Sequence, residues 1–262
     1  MYLVADNLQL TKPELARALS RRDPDPISRV VRQCEEAGAH AVDVNLGHMG
    51  RDAGEAAPFV IQTVERATDL PLFLDTADPV AMEAALRACS RPATVNGTSL
   101  EPRKLGPMAD LAAAYSAPLV CFLLRPDGHV AANAEERLSI AAELVAEVTA
   151  RGVAAGSLII DPLAVPLIWD DGPAQAMEVA ECIRLLPEVL GFTPRRMVGL
   201  SNLTTGRAPA GKKSLVERTW LAMLGQAGLD TVLLDVLRAE TVRTARAVAA
   251  LSGGGVFSWE AM

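Results

Sequence analysis

The chain has 262 residues, half of them hydrophobic, and a formal charge of −7 from 25 Lys+Arg against 32 Asp+Glu. That acidic balance argues against nonspecific nucleic-acid binding, which needs a basic face, while a mean hydropathy of +0.21 leaves ample material for one large core. No run of about 18 uncharged apolar residues is present to span a membrane, and the start, MYLVADNLQLTKPEL, lacks a basic stretch followed by an apolar block, so no signal peptide is read and a cytoplasmic protein is expected.

Taken in order, short apolar strand segments fall at 2–5, 40–44, 71–74, 93–95, 118–123, 157–160, 197–200 and 231–234. Helix-period segments fall near 26–37, 55–67, 79–89, 103–115, 133–151, 174–187, 214–227 and 239–250. An extra helix near 12–20 precedes the Arg22, Asp23, Pro24 break, and is expected to plug the barrel bottom or to pack beside the first helix. Strands rich in Val, Ile and Leu, each followed by a helix, imply parallel pairing through right-handed crossovers. Eight such units suit a closed (β/α)8 barrel of the TIM type better than an open doubly wound sheet. No linker divides residues 1–262, so one domain is expected, and Gly253, Gly254 and Gly255 read as the end of the last helix.

Cys34, Cys89, Cys121 and Cys182 are isolated, with no CxxC pair, and read as reduced, buried thiols. His40, His48 and His129 fit no metal-ligand spacing, so no metal bound by the protein itself is expected.

The strand ends carry the functional signal. Asp43 and Asn45 close strand two, Asp75 strand three, Asn96 strand four, Asp161 strand six, Asn202 strand seven and Asp235 strand eight. Any one of them taken alone reads sooner as a turn former or helix cap. A barrel, however, brings all strand C-termini to one rim, where active sites of this fold are built. Short, stiff acceptors and amides, without a lysine cluster or a Gly-rich turn opening a helix, do not suit a phosphate. They suit a flat heterocycle with a mixed edge of NH, NH2 and carbonyl groups, such as a pterin.

The ordered series VDVNLG (42–47), LFLDT (72–76), VNGTS (95–99), IIDPLAVPL (159–167) and VGLSN (198–202) resembles the methyltetrahydrofolate:corrinoid/iron–sulfur protein methyltransferases. These belong to the pterin-binding barrel superfamily, which also contains dihydropteroate synthase and the folate module of cobalamin-dependent methionine synthase. The resemblance extends through RRDPDP (21–26) and ERTWLAMLGQAGLDTVLLD (217–235), nearly the whole chain. It implies that Asp75, Asn96 and Asp161 hold the pterin edge, that Asp43 and Asn45 lie beneath or beside the ring, and that Asn202 reaches N5, the nitrogen carrying the methyl group. It also implies a methyl-tetrahydropterin substrate, with 5-methyltetrahydrofolate first in line. The other partner would be a cobalt corrinoid carried by a separate protein, and the methyl would pass to Co(I) in one in-line displacement. No tightly bound cofactor is implied for the barrel itself. Family members are homodimers, and the apolar helices at 174–187 and 214–227 are the expected interface.

Three departures from the family pattern stand out. Asp6 and Gln9 replace a Glu and an Asn on strand one, Thr76, Ala77 and Asp78 replace a SerThrAsn-like run, and Gly97 stands where serine is usual. They leave the pterin-edge carboxylates intact, and bear on whether tetrahydrofolate or a tetrahydromethanopterin-like relative is used and on which corrinoid protein docks. Two other readings compete. Dihydropteroate synthase carries a basic SerArgLys-type motif after strand seven, where this chain has Gly199, Leu200, Ser201 and Asn202, with Lys212 and Lys213 only later and read as solvated charge. A non-catalytic folate-binding or corrinoid-docking barrel is the second. Arg207 reads as a loop charge, Trp169 as a rim or loop-packing residue, and His48 as a surface residue beside Asp43.

Overall fold

In a computed structural model of the chain, which describes residues 1–47, 52–252 and 259, eight parallel strands close into a barrel in chain order. They are β1 (Tyr2–Gln9), β2 (Ala41–Asn45), β3 (Leu72–Asp75), β4 (Thr94–Thr98), β5 (Leu119–Phe122), β6 (Leu158–Asp161), β7 (Arg195–Gly199) and β8 (Thr231–Leu234). After β1 come α1 (Pro13–Arg21) and α2 (Asp25–Glu36). The remaining strands lead into α3 (Ala53–Ala67), α4 (Pro79–Ala88), α5 (Pro102–Ala114), α6 (Ala134–Ala150), α7 (Gly172–Leu190), α8 (Ala210–Ala227) and α9 (Ala239–Ser252). The fold is a (β/α)8 barrel.

One expected strand bound changes, and of the two placements expected for the extra helix the second holds. Strand one runs to Gln9 rather than ending near residue 5, so Asp6, Asn7 and Gln9 belong to the sheet. The extra helix α1 does not plug the bottom, because β1 delivers the chain to the rim at the strand C-termini; it packs beside α2. Residues 253–255 and His48 lie outside the described residues. Among the described residues no helix is long and apolar enough to cross a membrane.

The barrel places the site through its period of two. Val4, Ala41, Phe73, Val120, Ile159 and Met197 fill the interior, with Tyr2, Phe122 and Leu233 packed against them. Successive strand residues face opposite sides, so two positions further along the same strands point inward again. Those positions are Asp6, Asp43, Asp75, Phe122, Asp161 and Gly199. Register agrees: β2 sets Asn45 beside Asp75, β3 sets Asp75 beside Asn96, and β5 sets Phe122 beside Asp161. The apolar layer below is closed, and a polar layer lies on top of it.

Candidate functional site

At the rim Asp43, Asn96 and Asp161 are 2–3% exposed, and Asn45 and Asp75 are half-buried. Two amide–carboxylate pairs organise them. Asn96 Nδ2 donates to Asp43 Oδ1 at 2.8 Å, and Asn45 Nδ2 donates to Asp75 Oδ2. Asn45 Oδ1 in turn accepts the Gly47 N–H at 3.1 Å, which fixes which way its amide faces. Asn96 Oδ1 is buried and has no hydrogen-bond partner among the described residues. An amide whose NH2 is committed to Asp43 thus keeps its oxygen free to accept a hydrogen bond.

No cation figures among the groups acting on the three inward carboxyls. Burial drives each upward, since a charged carboxylate loses hydration it does not regain. Asp161 is pushed up to about 7 by burial, against the pull of backbone N–H groups of Leu163 and Gly199. Asp75 is raised to about 6 by burial. Asp43 stands well above the usual carboxylate range, first from burial and then from the neighbouring Asp75 charge, with the Asn96 hydrogen bond opposing.

Asn202 sits apart from this buried set, exposed in a 3-10 turn over Leu200–Thr204 directly after β7. Its amide folds back over Gly199, where a Cβ would approach Nδ2 to 3.1 Å. Both flanks of the turn are anchored. Ser201 Oγ donates to Asp6 Oδ2 at 3.0 Å, and Thr204 Oγ1 donates to the buried Glu217, which also pairs with Arg238 at 3.0 Å. The β6–α7 loop touches the same turn through Leu167 N–H and Leu203 O at 2.9 Å.

The structure therefore brings Asp43, Asn45, Asp75, Asn96 and Asp161 into one rim cluster, with Asn202 on the adjoining loop. Asp235 is not part of it: it accepts the Leu237 N–H at 3.1 Å in the turn before α9, accepts from Asn7 Nδ2 at 2.5 Å and pairs with Arg238 at 3.2 Å. Asp78 caps α4 through Val80 N–H at 2.9 Å. Lys213, in the first turn of α8, donates to Gly206 O at 2.6 Å, and Arg207 and Trp169 are exposed. All four cysteines are free, three of them buried. Sequence reasoning missed the anchors Ser201 and Glu217 and the role of Asp6 in holding the Asn202 turn. The one available signal was a carboxylate two positions beyond Val4 on an inward face.

Chemically, Asp75, Asp161 and the Asn96 oxygen are acceptors facing one rim. They match a flat ring edge that donates several N–H bonds, and such donors would restore the charge stabilisation that burial removes.

The sequence profile described as pterin binding enzyme matches residues 9–235. A methylcorrinoid:tetrahydrofolate methyltransferase of Eubacterium limosum is 25% identical over 239 residues, covering 90% of this chain and 85% of that protein. A methionine synthase of Mycobacterium tuberculosis is 27% identical over 210 residues; the match covers 75% of this chain but spans only 17% of that protein's length. Among solved structures, dihydropteroate synthase of Stenotrophomonas maltophilia superposes with a TM-score of 0.70 at 19% identity, covering 97% of this chain and 94% of that one. The enzyme of Thermus thermophilus gives 0.66 at 19% identity over 93% and 91% of the two chains. These two likenesses speak to the fold.

Proposed function

The chain belongs to the pterin binding enzyme family, and from that premise we propose that it moves a methyl group between N5 of a methyl-tetrahydropterin, first of all 5-methyltetrahydrofolate, and the cobalt of a corrinoid carried by a partner protein. The observation that carries the reading is the buried Asn96 oxygen without a hydrogen-bond partner, on the strand paired with Asp75, together with the raised carboxyls of Asp75 and Asp161, on which no cation acts. A pterin offers the matching N–H and NH2 edge. The likeness to the Eubacterium limosum methyltransferase, at 85% coverage of that protein, supports the methyl-transfer half.

Each residue then has a task. Asp75 and Asp161 ionise as they receive the ring's donors, and Asn96 accepts a further one while Asp43, which accepts from its Nδ2, orients it. Asn202 lies on an anchored turn, and no hydrogen bond holds its side-chain amide among the described residues. A tertiary amine bearing a methyl is a poor electrophile until N5 gains a proton or a strong hydrogen bond. An amide that presents either oxygen or NH2 can follow N5 as its charge changes. The corrinoid cobalt, on the partner protein, is the other substrate. Dihydropteroate synthase is the weaker reading, because β7 ends at Gly199 and leads into Leu200, Ser201 and Asn202 without a basic side chain for an anion.

Two further parts belong to the proposal. Four free thiols suit a reducing, cytoplasmic setting. Exposed Met177 and Val189 on α7, with Leu215, Val216 and Met223 on α8, supply an apolar face for a homodimer. The experiment that tests the mechanism is Asn202→Ala, assayed for methyl transfer to a Co(I) corrinoid and for binding of 5-methyltetrahydrofolate. An interaction that strengthens in the transition state predicts a rate lower by on the order of 10²-fold with a smaller loss of affinity. Full-rate transfer in the variant contradicts the role given to Asn202.

A further inference from the structure

Among the described residues the largest fully buried side chain is charged. Arg137, on α6, is 0% exposed and sits on the core-facing stripe with Ala134, Leu138, Ala141, Leu144 and Val148. Nε donates to Pro162 O at 3.0 Å and Nη2 to Gln175 Oε1 at 2.6 Å. Nη1 has no hydrogen-bond partner among the described residues. The carboxylates that act on the guanidinium, Glu178, Glu136 and Asp171, do so from a distance. Each is engaged elsewhere: Glu136 pairs with Arg125 at 2.6 Å, Glu178 accepts the Ala134 N–H at 2.7 Å, and Asp171 accepts from Gln175 Nε2 at 3.0 Å. A buried cation with an incomplete set of partners opposes folding, and an apolar side chain of similar volume would not. Stability does not explain this arginine.

What it holds is the β6–α7 loop, at both ends. Pro162 begins the loop directly after Asp161, and Asp171 finishes it, joined to Arg137 through Gln175. At the loop's start Leu163 takes a left-handed φ of 65° and donates its N–H to Asp161 Oδ1 at 2.8 Å, so the carboxyl's direction depends on that turn. Midway, Leu167 N–H reaches Leu203 O, beside Asn202. A planar guanidinium with donors in fixed directions can fix two acceptors at a set angle, which a lysine cannot.

We infer that Arg137 is a positioning residue whose fork holds the β6–α7 loop so that Asp161 and Asn202 meet one bound ring. The inference rests on the pterin reading of Asp161. The test uses the full chain with 5-methyltetrahydrofolate as the probe, measuring thermal melting and calorimetric affinity across pH. Arg137→Met is expected to melt at or above the wild-type temperature, to bind at least tenfold more weakly, and to shift the pH midpoint of binding that Asp161 sets. A residue that merely packs gives the reverse: a lower melting temperature with affinity and pH midpoint unchanged, and that result overturns the inference. If Arg137→Met does not fold, Arg137→Lys carries the test, since it keeps the charge but cannot span Pro162 O and Gln175 together. Binding at least tenfold weaker supports the role, and wild-type affinity overturns it. Asp161→Asn separates the two levels. Unchanged binding in that variant sinks the pterin reading itself, whereas weakened binding there with intact binding in Arg137→Met sinks only the positioning role.

Discussion

Asp161 shows how one carboxyl serves binding at the expense of folding. Burial lifts it to about 7 in the folded chain, against about 3.9 when unfolded. Between those values the folded state holds more protons than the unfolded one, so stability is full at low pH and falls as pH rises through the folded value, by up to about 4 kcal/mol for this group, then levels off. Asp161→Asn is therefore expected to melt higher than wild type at pH 8 and to show a flatter stability profile between about pH 4 and 7; identical profiles in chemical denaturation would contradict the assignment. Ligand donors favour the ionised form, so affinity for a methyl-pterin should rise with pH up to about 7, with protons released on binding near pH 6.5. Calorimetry in buffers of different ionisation enthalpy reads that release directly. Replacing Asp75 or Asp161 by Ala should cost about 2–4 kcal/mol of affinity, since each removes a charge-assisted contact, and unchanged affinity in both variants would remove them from the pocket.

At the scale of the element, β4 shows how tightly the rim is built. A Cβ on Gly97 would lie 2.4 Å from Val120 O and 2.8 Å from Val120 Cβ, on the neighbouring strand. Neither atom is the end of a flexible chain, so Gly97→Ala should force β4 and β5 apart and lower stability by roughly 1–3 kcal/mol or more, read as a shifted denaturation midpoint. In this chain the contact with β5 leaves no room for a side chain at residue 97. The barrel was legible from eight Val/Ile/Leu strands spaced by helices, because burial on both faces writes itself into composition. Strand ends were less so: β2, β3 and β6 each include their final Asn45, Asp75 or Asp161, polar residues that resemble the first residue of a turn. For the same reason the apolar run that marks β1 stops at residue 5, while the strand itself continues through Asp6 to Gln9. The pairings Asn96–Asp43 and Asn45–Asp75 span 53 and 30 residues and depend on register, which only the closed barrel sets. Arg137 escaped because a charged side chain on a helix is ordinarily solvated, although its position on the 134, 138, 141 stripe marked it as inward.

For the whole molecule, the barrel divides labour between a closed apolar floor and a polar rim. The floor, from Val4 round to Met197, holds the eight strands at a fixed register, and the rim inherits its geometry from that register. The helical exterior offers the exposed apolar side chains of α7 and α8 for self-association; sedimentation at micromolar concentration is expected to give a dimer, and a monomer throughout would contradict that interface. The central claim concerns chemistry at the rim. Its most direct test is to mix the protein with 5-methyltetrahydrofolate and a Co(I) corrinoid and follow the visible spectrum. Conversion of Co(I) to methyl–Co(III) at a rate proportional to protein concentration is the expected result. Persistence of the Co(I) spectrum with 5-methyltetrahydrofolate and with every other reduced methyl-pterin would contradict methyl transfer and leave a barrel that binds a pterin without reacting it.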